Sequence, residues 1–330
     1  MVGAGFAGLA CAKRAAELGL SVVVVERQSK PGQHIHTTGI LVREAWELWP
    51  VPDHLVRRLR TVRVYSPGLR SVDLRGDDYF FMATDTAGLL AQLAEEAAGA
   101  GAEIRFGTSF EAAGLTCRYL VGADGARSGV AEHFGLSRNR HFLAGVEWEF
   151  EPSPDDGDRI HCFVTPDHAP GYIGWFVPGV EAAQVGLAVR GNRKPNLRSF
   201  VSQVDGLFGI SDRRVLERRG GLIPVGGPLR NVFTDRVLLT GDAAGLVSPL
   251  TAGGIHTAYR FGKLAGEAVA DYLRGGPDPG PRVVSCHPSF GWKRAMRWAW
   301  DHLPVAQALD GGLLGRAVFK RAAEAVFFDR

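Results

Sequence analysis

Apolar and polar positions change their period several times along the 330 residues. The stretch MVGAGFAGLACAKRAAELGLSVVVVERQ (1–28) opens on glycines, continues as an Ala-rich helical pattern and ends in the unbroken apolar run SVVVVE. Short apolar runs without alternation mark strands buried on both faces, as in a parallel sheet flanked by helices. The same order of strand, glycine-bearing turn and helix returns in CRYLVGADGARSGVAEHFGL (117–136). It returns again in RVLLTGDAAGLVSPLTAGGI (236–255), which runs into the helical HTAYRFGKLAGEAVADYL. Elsewhere strand signals dominate. RTVRVYSPGLRSVDLR (60–75) reads as a hairpin turning at Pro67-Gly68, and strands around 142–190 and 213–235 extend it into a mostly antiparallel second sheet. RGGPDPGP (274–281) reads as a flexible connector, and the remainder to Arg330 as a separate helical tail.

The first stretch carries chemistry. Gly3, Gly5 and Gly8 form G-x-G-x-x-G, and the second strand ends on Glu26, 18 residues beyond Gly8. Gly3 permits a tight turn, Gly5 lets backbone N–H groups approach a pyrophosphate, and Gly8 allows close helix–strand packing. The helix N-terminus attracts the phosphates, and Glu26 accepts from ribose hydroxyls, with Arg27 beside it. Together these features predict a dinucleotide site. One feature departs from the pattern: only Met1 and Val2 precede the glycines, where a strand of about five residues is expected.

The two later stretches end their strands on acids at the same relative place, Asp124 before Gly125 and Asp242 after Gly241. Ligands of parallel α/β sheets bind outside the carboxyl ends of the strands, so Gly5, Asp124 and Asp242 are expected to point at one crevice. Asp242 is placed to accept a hydrogen bond near a pyrophosphate. The run from Pro249 through Gly253 and Gly254 to Ile255 is expected to lay bare backbone N–H groups against a large, flat ring system.

These three motifs, in this order, resemble the para-hydroxybenzoate hydroxylase class of FAD-dependent oxidoreductases. GDAAGLVSPLTAGGI resembles most the geranylgeranyl reductase family, whose members act on isoprenoid double bonds or on lipid-like and quinone substrates. The resemblance spans about residues 2–273 and implies an α/β fold. A Rossmann-like FAD/NAD(P)-binding domain (1–54, 83–139 and 237–275) is interleaved with a mostly antiparallel β-sheet substrate domain (55–82 and 140–236), and a helical tail (276–330) follows. The second sheet is expected to cover the flavin ring and wall the substrate pocket. By resemblance, Gly3, Gly5, Gly8, Glu26, Asp124, Gly125, Gly241, Asp242, Pro249, Gly253 and Gly254 hold FAD. Several departures separate the chain from that family's usual pattern. Gly245 follows GDAA where aromatic hydroxylases of the class usually have histidine. HIHTTGIL places His36 or Thr37 where the reductases often carry cysteine. GYIGWFVP keeps Trp175 and Pro178 of Y-x-W-x-F-P but has Ile173 and Val177 at the tyrosine and phenylalanine positions. Thr84 stands roughly where an arginine is common, and the segment 104–120 is short.

The candidates for chemistry outside the cofactor motifs are few. His36 is a candidate proton donor or a hydrogen-bonded loop histidine. Trp175 is a candidate pocket wall or a packed core residue, and Arg43 meets cofactor phosphate or solvent. Flavin brings the redox chemistry, and the protein supplies position, proton delivery and water exclusion. Three classes stay open: a reductase of a double bond or quinone-like ring in a small apolar substrate; a monooxygenase or halogenase using NAD(P)H and oxygen; and a non-catalytic flavin-binding protein. No second G-x-G-x-x-G is present, so NAD(P)H visits transiently or a separate electron-donor protein serves.

Composition adds limits. The formal net charge of +3 is small and gives no reason to expect nucleic acid. The stretch from Arg282 to Arg330 holds eight Lys/Arg against four acids, so this tail accounts for the excess. Cys11, Cys117, Cys162 and Cys286 are scattered without a CxxC pair, which predicts no metal site and fits a reduced cytoplasmic protein. No apolar run is long enough to span a bilayer, and no signal peptide precedes the first motif. In FGWKRAMRWAWDHLPVAQ, Trp292, Trp298 and Trp300 alternate with Lys293, Arg294 and Arg297. That mixture suits either a helix docked on the FAD domain or peripheral contact with a membrane surface.

Overall fold

The computed structural model describes residues 1–111, 114, 116–191 and 193–328. Two compact units share the chain. The first gathers Met1–His34, Thr86–His141 and Ile223–Phe290; the second gathers Ile35–Asp85, Phe142–Leu222 and Gly291–Arg330.

In the first unit the apolar runs become a parallel sheet. Val23–Glu26 pairs with Glu103–Phe106, and Leu120–Gly122 pairs with Val237–Leu239. Val2 bridges both pairs, opposite Val25 on one side and Gly122 on the other. Its N–H donates to Val121 O at 3.0 Å, and Ala123 N–H donates to its carbonyl at 2.8 Å. Val25 N–H donates to Met1 O at 3.0 Å, and Gly3 N–H to Val25 O at 2.9 Å. Three residues thus serve as the central strand, because their neighbours on both sides satisfy the backbone.

Two helices of this unit touch at glycines. A Cβ on Gly262 would lie 2.2 Å from Ala7 O, and one on Gly266 would lie 2.6 Å from Cys11 O. The helix Ile255–Tyr272 therefore meets the helix Phe6–Glu17 backbone to backbone. Lys13–Glu96 at 2.7 Å and Arg14–Glu267 at 2.8 Å tie the helix flanks. Cys11 is fully buried here, and burial pushes its thiol up to about 12, so it packs as a small apolar group. The expected connector 274–281 is not a free linker. Asp278 caps a helix from Pro279 to Ser285 by accepting from Gly280 N–H at 2.8 Å, and Gly280 leaves room for the Phe233 ring. Pro279 opens that helix, a position where proline costs no hydrogen bond.

The second unit is built on a seven-stranded sheet in the order 215–224, 142–150, 183–190, 174–178, 159–163, 61–65, 71–74. All characterised pairings are antiparallel except Arg159–Phe163 beside Thr61–Tyr65. The hairpin at 61–74 forms with Tyr65 opposite Ser71. Leu69, not Gly68, takes the left-handed turn position (φ 60°), while Gly68 admits Asp310 Oδ1, which accepts its N–H at 2.9 Å. One sheet face is closed by the helix Leu197–Phe208, whose Leu197, Phe200, Val201 and Val204 follow helical spacing and are buried. Phe208 stacks on Phe176 with centroids 3.9 Å apart.

Two placements differ from the sequence pattern. Ile40–Val42 and Val56–Leu59 flank Phe81–Thr84 in a three-stranded antiparallel sheet, which draws residues 35–85 together into the second unit. The C-terminal helices also pack there: Leu309, Leu314 and Ala323 are buried with Val62, Val64 and Leu74. The helix Gly291–His302 is anchored by Arg297 and by Trp300, which packs against the same core. Arg297 is 6% exposed, donates to Gly171 O and pairs with Asp301, which also holds Arg190. Among the described residues, no helix is long and apolar enough to cross a membrane.

Candidate functional site

The glycines of the first turn have separate jobs. Gly3 has φ +96°, and a Cβ there would lie 2.4 Å from Ala123 O. A Cβ on Gly8 would lie 1.9 Å from Gly3 O. Gly5, in contrast, faces open space, with nothing within 4 Å of its Cβ position. It is the N-cap of the helix Phe6–Glu17, and it makes no side-chain cap hydrogen bond, so the positive end of the helix opens beside it. Glu26 braces this loop: Oε2 accepts from Ala4 N–H at 2.8 Å and Oε1 from Gln28 N–H at 2.9 Å. Each carboxylate oxygen keeps a further lone pair for a sugar hydroxyl. Arg27 is exposed beside it.

The second and third motifs close on the first. Asp124 turns its carboxylate to its own chain, accepting from Ser128 Oγ at 2.6 Å and Val130 N–H at 3.0 Å. These two bonds brace the turn through Gly125 (φ +84°). Gly241 has φ +61°, and its Cβ would lie 2.8 Å from Ala7 Cβ. Asn139, which the sequence reading missed, pins the two motifs: its Nδ2 donates to Ala126 O at 3.1 Å and to Asp242 O at 2.8 Å. No local signal marks it, because it lies outside both glycine runs.

Asp242 differs from Asp124. Its carboxylate accepts no hydrogen bond among the described residues, and burial pushes its pKa up to about 6. Beyond it, Ala252 N–H donates to Ser248 O and Ser248 N–H to Gly253 O, both at 3.0 Å, which folds Pro249–Gly253 into a tight loop. Ala252 is left-handed (φ 54°), and Thr257 Oγ1 ties the loop to the helix at Gly254 O, 2.8 Å away. The N–H groups of Gly253, Gly254 and Ile255 have no acceptor among the described residues. Gly254 is tight against Val247, with Asp242 Oδ1 3.6 Å from its Cβ position. An open glycine at a helix start, a half-buried carboxyl with no hydrogen-bond donor among the described residues and three backbone N–H groups at 253–255 fit a dinucleotide whose ring lies along a backbone edge. The residues present therefore suit FAD.

The second unit holds the remaining candidates. His36 is exposed, and its Nδ1–H donates to Gly220 O at 2.7 Å. Arg43 begins a short helix, lies 3.9 Å from Glu47 and reaches Asp78 O at 3.4 Å. Thr84 is buried, its hydroxyl donating to Gly39 O at 2.8 Å. Trp175 lies across the sheet. It stands opposite Gly186, where a Cβ would come 2.4 Å from the indole, so the ring lies over that glycine to the next strand. There its Nε1–H donates to Glu147 Oε2 at 2.8 Å.

The burial of Glu147 is not legible in the sequence. Glu147 and Glu149 stand two apart on Phe142–Phe150, a spacing that reads as a solvent-facing edge. Instead Glu147 is 4% exposed, and Arg219 is held between Glu149 at 2.8 Å and Glu217 at 2.7 Å. Burial pushes Glu147 up to about 7, against the pull of Trp175, the Thr38 hydroxyl and Arg219 toward the ionised form.

Comparison with known proteins agrees with this assembly. Residues 1–52 match the NAD(P)-binding Rossmann-like domain family and residues 77–215 the FAD binding domain family. The digeranylgeranylglycerophospholipid reductase 2 of Methanothermobacter thermautotrophicus is 30% identical, over 94% of this chain and 87% of the relative. The digeranylgeranylglycerophospholipid reductase of Methanothrix thermoacetophila is 30% identical, over 84% and 78%. The same fold appears in a geranylgeranyl bacteriochlorophyll reductase-like protein from Thermoplasma acidophilum, with a TM-score of 0.82, 17% identity, and 99% and 95% of the two chains covered. With its cofactor motifs drawn together in one unit and that identity sustained along nearly its whole length, the chain belongs to the digeranylgeranylglycerophospholipid reductase family of FAD-dependent oxidoreductases.

Proposed function

We propose that the substrate of this reductase is a glycerolipid bearing unsaturated isoprenoid chains, whose carbon–carbon double bonds it saturates. The observation that carries this reading is Gly245. It has φ +72°, and a Cβ there would lie 2.4 Å from Gly227 O, so the turn leaves no place for the histidine of the resembled hydroxylases. The relatives' names supply the substrate class. A flavin-dependent brominase shares the fold at a lower TM-score, 0.68.

FAD, bound and reduced, supplies a hydride to one carbon of the double bond. This chain's residues do the rest. The free N–H groups at 253–255 and the Asp242 carboxyl hold and orient the cofactor, and Glu26 with the Gly5 helix start holds its nucleotide end. Trp175 offers an apolar surface to the substrate chain. The reductant is NAD(P)H arriving transiently or a separate electron-donor protein. The scattered free cysteines and the tail's exposed tryptophans and basic side chains support a cytoplasmic protein that meets the membrane at its surface.

The test is a single turnover. The purified protein is reduced without air and mixed with a digeranylgeranylglycerophospholipid in detergent. The flavin bands should return only with lipid present, and mass spectrometry should show two hydrogens gained per double bond. A product that gains an oxygen atom, or flavin that ignores the lipid, sinks the proposal.

A further inference from the structure

We infer that Asn139 is a positioning residue for FAD: it locks the turn that carries Asp242 to the turn that follows Asp124, and so holds the Asp242 carboxyl in one orientation toward the cofactor. This rests on FAD binding in the first unit and not on the lipid reading above. Every contact involved lies within that unit. The Asn139 amide donates twice, from Nδ2 to Ala126 O at 3.1 Å and to Asp242 O at 2.8 Å. Ala126 follows Asp124 and Gly125 directly, and the strands that deliver the two turns are neighbours, Leu120–Gly122 beside Val237–Leu239. One side chain thus bridges two cofactor motifs that are far apart in sequence.

The chemistry of the amide fixes its direction. Its Nδ2 serves two carbonyls, and its Oδ1 is buried without a hydrogen-bond partner among the described residues. A flipped amide would set its oxygen against the same two carbonyls, acceptor against acceptor. A buried orphan acceptor costs free energy that an apolar side chain of similar size would avoid. Packing alone therefore gives no reason for asparagine here, whereas the two bonds it donates do.

The backbone that carries Asn139 is held at both ends. Leu136 N–H donates to Ala131 O at 2.8 Å, Ser137 N–H donates to Asn231 O at 2.7 Å, and His141 O accepts from Val225 N–H at 2.9 Å. Arg138 and Arg140 are exposed, and Asn139 between them turns inward. Gly245 completes the fit. A Cβ there would lie 2.4 Å from Gly227 O and 3.2 Å from Asn139 Oδ1, so the glycine that separates this chain from the hydroxylases also makes room for Asn139. Asp242 O accepts from Gly245 N–H at 3.0 Å as well as from Asn139. Without the Asn139 amide, that carbonyl keeps only a bond from its own turn. The carboxyl on the same residue then loses its tie to the neighbouring motif, and ordering it falls to the cofactor as a cost of binding.

The test titrates apoprotein with FAD. Asn139→Ala removes both donors and should weaken FAD binding about tenfold, and Asn139→Leu, which fills the space without donating, should do the same. Ser137→Ala alters the same segment without touching either cofactor turn, and should leave the affinity within about twofold of wild type. An Asp242→Asn background separates positioning from a general loss of structure. There Asn139→Ala should change FAD affinity by less than about twofold, because residues that act through one another are not additive. The visible circular dichroism of bound flavin should shift alike in Asn139→Ala and Asp242→Asn and stay as in wild type in Ser137→Ala. Wild-type affinity in Asn139→Ala and Asn139→Leu overturns the assignment, and so does an undiminished loss in the Asp242→Asn background. Lipid turnover is not among the readouts, so failure of the substrate reading would leave this result standing.

Discussion

At the scale of single residues, the first-turn glycines separate into those that serve folding and one that serves the ligand. Gly8 and Gly3 are pressed against backbone, whereas Gly5 borders open space at an ordinary negative φ. Gly8→Ala should destabilise the protein by about 1–3 kcal/mol, as overpacking against an unyielding carbonyl does. Gly5→Ala should leave the apoprotein's thermal midpoint unchanged yet weaken FAD binding at least about tenfold, because its methyl enters the cofactor's approach. Thermal unfolding of apoprotein with fluorimetric FAD titration separates the two; equal effects on both quantities would contradict this division. Asp124 and Asp242 follow the same lesson in reverse. They look alike in sequence, yet one closes its own helix cap and the other stays unpaired.

At the scale of elements, glycine and buried charge show what the local patterns concealed. The spacing of Gly262 and Gly266 on the helix Ile255–Tyr272 is explained by the backbone of the helix it crosses, a neighbour almost the whole chain away. On the seven-stranded sheet, Glu147 faces inward, and its titration is coupled to stability. Its folded pKa of about 7 lies above the roughly 4.3 of an unfolded glutamate, so folding favours the protonated form. Below about pH 4 both states are neutral and the contribution is complete. It is lost as pH rises through 7, a change on the order of 3 kcal/mol. Glu147→Gln removes this dependence, so the variant should gain on wild type between pH 5 and pH 8 in urea midpoints of the apoprotein. Parallel pH curves for the two proteins would refute a neutral buried acid. This stability readout needs neither cofactor nor lipid.

At the scale of the whole molecule, the C-terminal helices turn a compositional feature into a surface. In Gly291–His302 the buried side carries Arg297 and the exposed side carries Trp292 (41%), Met296 (36%) and Trp298 (60%), with Leu303 (55%) just beyond. These exposed apolar side chains, with the exposed Arg294 of the same helix and the exposed Arg316, Lys320 and Arg321 farther along the tail, suit an anionic lipid surface, where apolar burial and charge attraction add. Wild-type protein should cosediment with vesicles containing phosphatidylglycerol, less so in high salt, and Trp298→Ser with Leu303→Ser should weaken partition about tenfold. Binding that ignores both substitutions would place lipid contact elsewhere. The sequence by itself determined the cofactor unit, because each motif is local: a glycine turn, a strand ending on an acid and a helix start lie within about twenty residues and need no partner to be recognised. Only the tertiary structure decided that Met1–Gly3 acts as a strand and that residues 35–59 pair with 81–84. It also decided that the tail packs in the second unit and that Glu147 is enclosed while His36 is exposed. Each of these depends on contacts between segments distant in sequence. The free energy of burying a carboxyl is set by the strands and side chains around it, whereas alternation along its own strand records only which way it points.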